Sequence, residues 1–188
     1  MNTLFLDNLE EHLKLFRNLA ELRPMVDEAA DLIVSSLAAG HKLMICGNGG
    51  SAADSQHLAA EFTGRFIADR KPLSAMALST DSSALTCIAN DYSFEEVFLR
   101  QVIALGRPGD CLLGISTSGN SRNVIRAAEA ARDISISTIG LLGRDGGALR
   151  GICNLALVVP STITARIQAA HILIGHTLCG MVEQGLAS

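Results

Sequence analysis

The sequence predicts an α/β protein: a doubly wound, five-stranded parallel sheet in flavodoxin-like order, with two extra helices in front. Two patterns carry that prediction. Short apolar runs of strand length alternate with longer stretches of helical period, and the runs are apolar throughout, as strands covered on both faces are. Two of the runs, 42–46 and 111–115, also end in small polar turns that open helices, the strand–loop–helix unit of a parallel sheet.

The elements follow in order. Residues 3–20 set Leu6, Leu9, Leu13, Phe16 and Leu19 at helical spacing, an amphipathic helix. Pro24 opens a second helix that runs to about Ala39 and stops at Gly40. The first strand, 42–46, meets the turn Gly47-Asn48-Gly49-Gly50, and a helix spans 51–66. The second strand, 73–79, runs into Ser79-Thr80-Asp81-Ser82, good capping residues for a helical stretch over 83–105 that breaks near Asn90-Asp91. The third strand, 111–115, leads through the turn 116–121 into a helix ending at Arg132. Strands at 135–141 and 154–159 follow, Pro160 closes the last, and a final helix covers about 163–184. In the order 2-1-3-4-5 the first and third strands flank the point where strand order reverses, so both polar turns would line one cleft.

Composition bounds the function. The 188 residues suit a single domain, 1–188, with residues 1–40 as helices packing between subunits. Hydrophobic residues make up 48% and mean hydropathy is +0.32, high for a monomer, which implies apolar surface buried in an oligomer. Net charge is -4 with no basic face, and aromatics are only 4%, which argues against nucleic acid as a partner. The cysteines Cys46, Cys87, Cys111, Cys153 and Cys179 are scattered and odd in number, the pattern of reduced thiols in a cytoplasmic protein. Residues 1–17 mix apolar and acidic side chains, unlike a signal peptide, and the apolar stretch 172–182 is too short to span a membrane.

Three constellations carry chemistry. Gly47-x-Gly49-x-x-Ala52 matches a loose dinucleotide fingerprint, but no acidic residue closes the following strand, and no Gly-x4-Gly-Lys-Ser/Thr loop exists. The loop reads instead as bare amides at a helix start. The turn 116–121 holds Ser116, Thr117, Ser118, Asn120 and Ser121 at the positive end of a helix dipole; ordinary capping needs one or two such residues, so the excess points to a phosphate site. His57 and Glu61, four apart, share one helix face, where they could be a solvated pair, metal ligands or proton carriers. Gln168, His171 and His176 interrupt the otherwise apolar last helix, and polar groups there are costly unless paired or used. His171 reads as a hydrogen-bonded interface histidine. Gln168 and His176 stand eight residues apart, about 12 Å along a helix, so both reach one metal only with extended side chains or from two subunits. A His/Glu/Gln/His set would suit zinc. Arg65 could reach a phosphate but reads first as a local ion-pair partner, and Asn90-Asp91 as a helix break that could also face the cleft.

The segments CGNGGSAADSQHLAAEFTGRF (46–66), AND (89–91), GDCLLGISTSGNSRNV (109–124), RDGG (144–147) and RIQAAHILIGH (166–176) together resemble the phosphosugar isomerase (SIS) domain family. Within it they are similar to the bacterial enzymes that act on a heptose phosphate, over essentially the whole chain. The resemblance implies a homotetramer with active sites between subunits, and conversion of sedoheptulose 7-phosphate to D-glycero-D-manno-heptose 7-phosphate, the first step towards nucleotide-activated heptose. It implies one zinc ion (Zn2+) per subunit on His57, Glu61, Gln168 and His176, with Glu61 and His176 as the acid–base pair. It places substrate contacts at Asn48, Gly49, Gly50, Glu61, Asn90, Asp91, Ser116, Thr117, Ser118, Ser121 and Gln168. One departure stands out: some members carry an acidic residue where this chain has Ala165. The rival readings are a non-enzymatic family member that binds the bacterial replication initiator, an isomerase of another sugar phosphate, and a ligand-sensing module. The intact Glu61/His176 pair favours the enzyme.

Overall fold

In the computed structural model, which describes residues 3–187, the apolar runs form β1 (Leu43–Gly47), β2 (Ala75–Ala77), β3 (Cys111–Ser116), β4 (Ser137–Gly143) and β5 (Leu155–Val159). All neighbours pair in parallel, in the order β2-β1-β3-β4-β5. The chain therefore crosses from β1 outward to β2 and back to β3, and the turns that leave β1 and β3 sit side by side at the carboxyl end of the sheet. The helices are α1 (Leu4–Asn18), α2 (Arg23–Ala38), α3 (Gly50–Thr63), α4 (Ser82–Asp91), α5 (Leu99–Leu105), α6 (Arg122–Asp133) and α7 (Thr164–Ala187).

Each strand feeds two cores because successive side chains point to opposite faces. Leu43 and Ile45 pack with Ile33 of α2, Leu58 and Phe62 of α3, and Ile174 and Leu178 of α7. Met44 and Cys46 pack with Val102 of α5 and Val124, Ala127 and Ala128 of α6. Burying a side chain such as Ile33 contributes about 1.5–3 kcal/mol. Arg166, at the start of α7, donates to Glu11 at 2.9 Å and to Asn8, tying α1 to the domain. The outer side of α1 stays open: Leu4, Phe5, Leu6, Leu9 and Leu13 are all exposed.

Boundaries differ from expectation where tertiary contacts intervene. The strand expected at 73–79 shrinks to three residues, an edge strand with β1 as its one neighbour. The stretch 83–105 splits into α4 and α5 around a 3-10 turn, Phe94–Glu96, which Glu96 fastens to Arg126 of α6 at 3.1 Å. Asp81 caps α4 as the sequence suggested, accepting from the Ala84 N–H at 2.9 Å. All five cysteines are free. Among the described residues, no helix is long and apolar enough to cross a membrane.

The interface reading of His171 does not hold, because the chain's own sheet covers it. The residue is 0% exposed; Nε2–H donates to the Leu142 carbonyl at 3.1 Å, and Nδ1 has no hydrogen-bond partner among the described residues. Burial pulls its pKa from 6.5 to about 4, against the smaller opposing effect of the Leu142 bond. The unfolded chain therefore binds a proton that the folded chain refuses. Stability is expected to fall by up to about 3 kcal/mol as pH drops from 6.5 to about 4. His171→Gln keeps a donor and cannot titrate, so it should flatten the curve of urea midpoint against pH over that window. An unchanged curve would assign the acid sensitivity to other groups.

Candidate active site

Helices α3 and α7 lie side by side in the same direction, and the polar residues collect along their seam. At its start, a Cβ on Gly50 would lie 2.4 Å from Nε2 of Gln168, so only glycine lets that amide settle over the helix N-terminus. Further along, a Cβ on Gly175 would strike Leu58 at 2.7 Å, and this close approach brings His57 to His176. The two Nε2 atoms are 2.8 Å apart, and Glu61 Oε1 is 3.5 Å from His57 Nε2. One ligand atom from each of His57, Glu61 and His176 falls within 4.8 Å of the others. A tetrahedral zinc with bonds of about 2.0–2.1 Å sets its ligand atoms about 3.3 Å apart. The observed 2.8 and 3.5 Å bracket that spacing, and two imidazoles with a carboxylate are ordinary zinc donors, so the residues fit the metal. Gln168 is not drawn into this cluster; it stands two helical turns away, over Gly50.

The glycine turn is held by a residue that sequence reasoning missed. Asn48 and Asn123 exchange two amide hydrogen bonds, each 2.8 Å, which fixes the loop ahead of α3 to the first turn of α6. Asn123 is 3% exposed, and its one clue in the sequence was a polar residue on the buried face of an amphipathic helix.

The turn 116–121 does not use its hydroxyls for capping. Ser121 stands at the N-cap of α6 without a side-chain bond to the helix, and its Oγ lies 2.9 Å from Oγ of the buried Ser116. Ser118 Oγ accepts the Asn120 N–H at 3.1 Å. A hydroxyl-rich loop at a helix N-terminus suits an oxyanion. A cleft of about 770 Å3 opens beside Asn120, lined also by Arg144, Asp145, Ser161 and Ile163; none of the His57–Glu61–His176 cluster reaches it.

Asn90 and Asp91 end α4, exposed, with Asn90 donating to Asp91 at 2.8 Å. Arg122 meets Glu95 at 3.7 Å, so the segment just after Asp91 lies against the start of α6. Arg65 makes no ion pair or hydrogen bond among the described residues, contrary to its reading as a local partner. Arg70 fills that role, a residue the sequence did not single out. It pairs with Glu183 at 3.0 Å.

Residues 5–143 match the SIS domain family, the class that this sheet and its two polar turns point to. The chain belongs to that family and, within it, to the phosphoheptose isomerases. It is 54% identical to the phosphoheptose isomerase of Rhodospirillum rubrum, over 92% of each chain. It is 52% identical to that of Helicobacter hepaticus, over 97% of this chain and 93% of the relative. Among solved structures, the phosphoheptose isomerase of Neisseria gonorrhoeae superposes with a TM-score of 0.91 at 45% identity, over 96% of this chain and 97% of the other. That of Francisella tularensis gives 0.93 at 38% identity, over 98% and 100%.

Proposed function

We propose that the chain is an aldose–ketose isomerase that converts sedoheptulose 7-phosphate to D-glycero-D-manno-heptose 7-phosphate through an enediol(ate). The observation that carries this is the His57–Glu61–His176 cluster on the seam of α3 and α7, in a chain whose relatives are phosphoheptose isomerases. Moving a proton between adjacent carbons needs a base and an acid. Glu61 and His176 supply them from facing helices, and the turn 116–121 holds the phosphate away from the reacting carbons. Binding energy at that remote group positions the reacting carbons. Asn48, Gly49 and Gly50 offer amides, and Asn90 and Asp91 polar side chains, to the sugar.

His57, Glu61 and His176 would hold zinc, with Gln168 completing the set from a second subunit or by an extended side chain. Bound there, zinc would polarise the carbonyl and hydroxyl oxygens of the sugar. Zinc bound there would also lower the basicity of the Glu61 carboxylate, the group that takes the proton on this reading. Ala165 is exposed and brings no carboxylate to the start of α7, which leaves Glu61 and His176 to carry the transfer. The working unit on this reading is a cytoplasmic homotetramer, in which the open apolar side of α1 is covered by other copies.

The test is a metal-controlled assay with sedoheptulose 7-phosphate, followed by NMR. Protein stripped by a chelator should be inactive, and one equivalent of zinc per chain should restore aldoheptose 7-phosphate formation. Phosphosugar binding without turnover would move the assignment to a sensor or a partner of the replication initiator.

A further inference from the structure

The segment that follows α3 is fastened by a buried charge pair. Glu183 on α7 is 7% exposed and accepts the backbone N–H groups of Phe66 at 2.9 Å, Ile67 at 3.1 Å and Ala68 at 3.2 Å, and Nε of Arg70 at 3.0 Å. Arg70 then donates to the carbonyl oxygens of Glu61 and Phe62, each at 2.8 Å, and of Gly64 at 3.3 Å. The carbonyls of Glu61 and Phe62 belong to the last turn of α3, which has no further N–H in the helix to satisfy it. A guanidinium there also suits the negative end of the helix dipole.

The contacts converge on the two residues assigned to proton transfer. Arg70 holds the main chain of Glu61. Glu183 holds the main chain of Phe66, whose ring stacks on His176 at 5.4 Å and 21°. The His176 ring also meets His57 edge-on, at 5.0 Å and 75°. In contact with both rings, the imidazole has little freedom to turn Nε2 away from His57. A buried ion pair is seldom the most stable filling for a core, since apolar side chains of equal volume often do as well or better. What apolar side chains could not supply is these six directed bonds to backbone atoms beside the site.

We propose that Glu183 and Arg70 are positioning residues for the Glu61–His176 pair, acting through the last turn of α3 and the ring of Phe66. The proposal rests on the isomerase reading for its kinetics, but not for its metal-binding test. Phe66→Leu should lower kcat about 10–100-fold with KM within about twofold, and weaken zinc binding by a similar factor, as loss of a supporting contact behind a metal ligand does. Phe66→Tyr keeps the ring and should restore both. Glu183→Gln keeps the shape and loses the charge, and should show the same split. If it fails to fold by circular dichroism, Phe66→Leu and Arg70→Lys carry the test. Folded variants with the zinc affinity and kcat of the parent protein would overturn the proposal. A parent protein with no isomerase activity would sink the isomerase reading instead, and zinc affinity, measured by competition with a chelating dye, would still decide the positioning role.

Discussion

Glu61→Gln is expected to lower turnover by about 10²–10⁴-fold, the usual cost of removing a positioned general base, while phosphosugar binding changes little. The amide preserves the shape of the side chain beside His57, where Glu61 Oε1 stands 3.5 Å from Nε2. It loses the basic oxygen. On the proposed reading substrate affinity rests mainly on the turn 116–121 and the glycine loop, neither of which the change touches. Because Glu61 is also an assigned metal ligand, zinc affinity should fall too, so the assay is run with zinc in excess. Calorimetric titration of the phosphosugar then separates the roles. Losses of the same size in turnover and in binding would count against Glu61 as the base.

Gly119→Ala should damage the turn 116–121 and the fold together. Gly119 sits at φ +66, and a Cβ there would lie 2.0 Å from the Gly146 carbonyl oxygen and 2.7 Å from the Gly147 nitrogen. Both obstacles are backbone, so neither can swing aside as a side chain would. The two loops are also bonded through main chain, Leu149 N–H donating to the Gly119 carbonyl at 3.0 Å, and within the turn Gly119 N–H donates to the Ser116 carbonyl at 3.2 Å. Left-handed strain alone costs about 1–2 kcal/mol, and separating the loops adds to it. A loss of roughly 2–4 kcal/mol in denaturant-measured stability is expected, within the range for strain at a special backbone position. With the phosphate held by this turn, as proposed, KM for the phosphosugar should rise at least about tenfold. Stability and KM at parent values would mean that the 116–121 turn does not depend on its contact with Gly146.

Much of the site was legible because its signals are local. The polar turns after β1 and β3 announced themselves by composition, and His57 and Glu61 by a spacing that any helix converts into one shared face. Asn123, Arg70 and Glu183 were not legible. Each makes its decisive contact with a residue far along the chain: Asn123 with Asn48, and Glu183 with Phe66 and Arg70. A lone polar residue on a helix carries no mark of a partner 75 or 117 positions away.

By itself, then, the sequence determined the alternation of strands and helices, the parallel sheet, the two polar turns and the His–Glu pair, since all follow from hydrophobic period, turn chemistry and helical spacing. Tertiary structure decided the pairing of those parts. The contact of Gly175 with Leu58 sets α7 against α3 and brings His176 within 2.8 Å of His57, across 119 residues of chain, while the same packing leaves Gln168 over Gly50. The sheet, rather than a second subunit, covers His171. The physical reason is common to these cases. Local periodicity states which side of an element is to be buried, but the element that buries it is chosen by close packing over the whole domain.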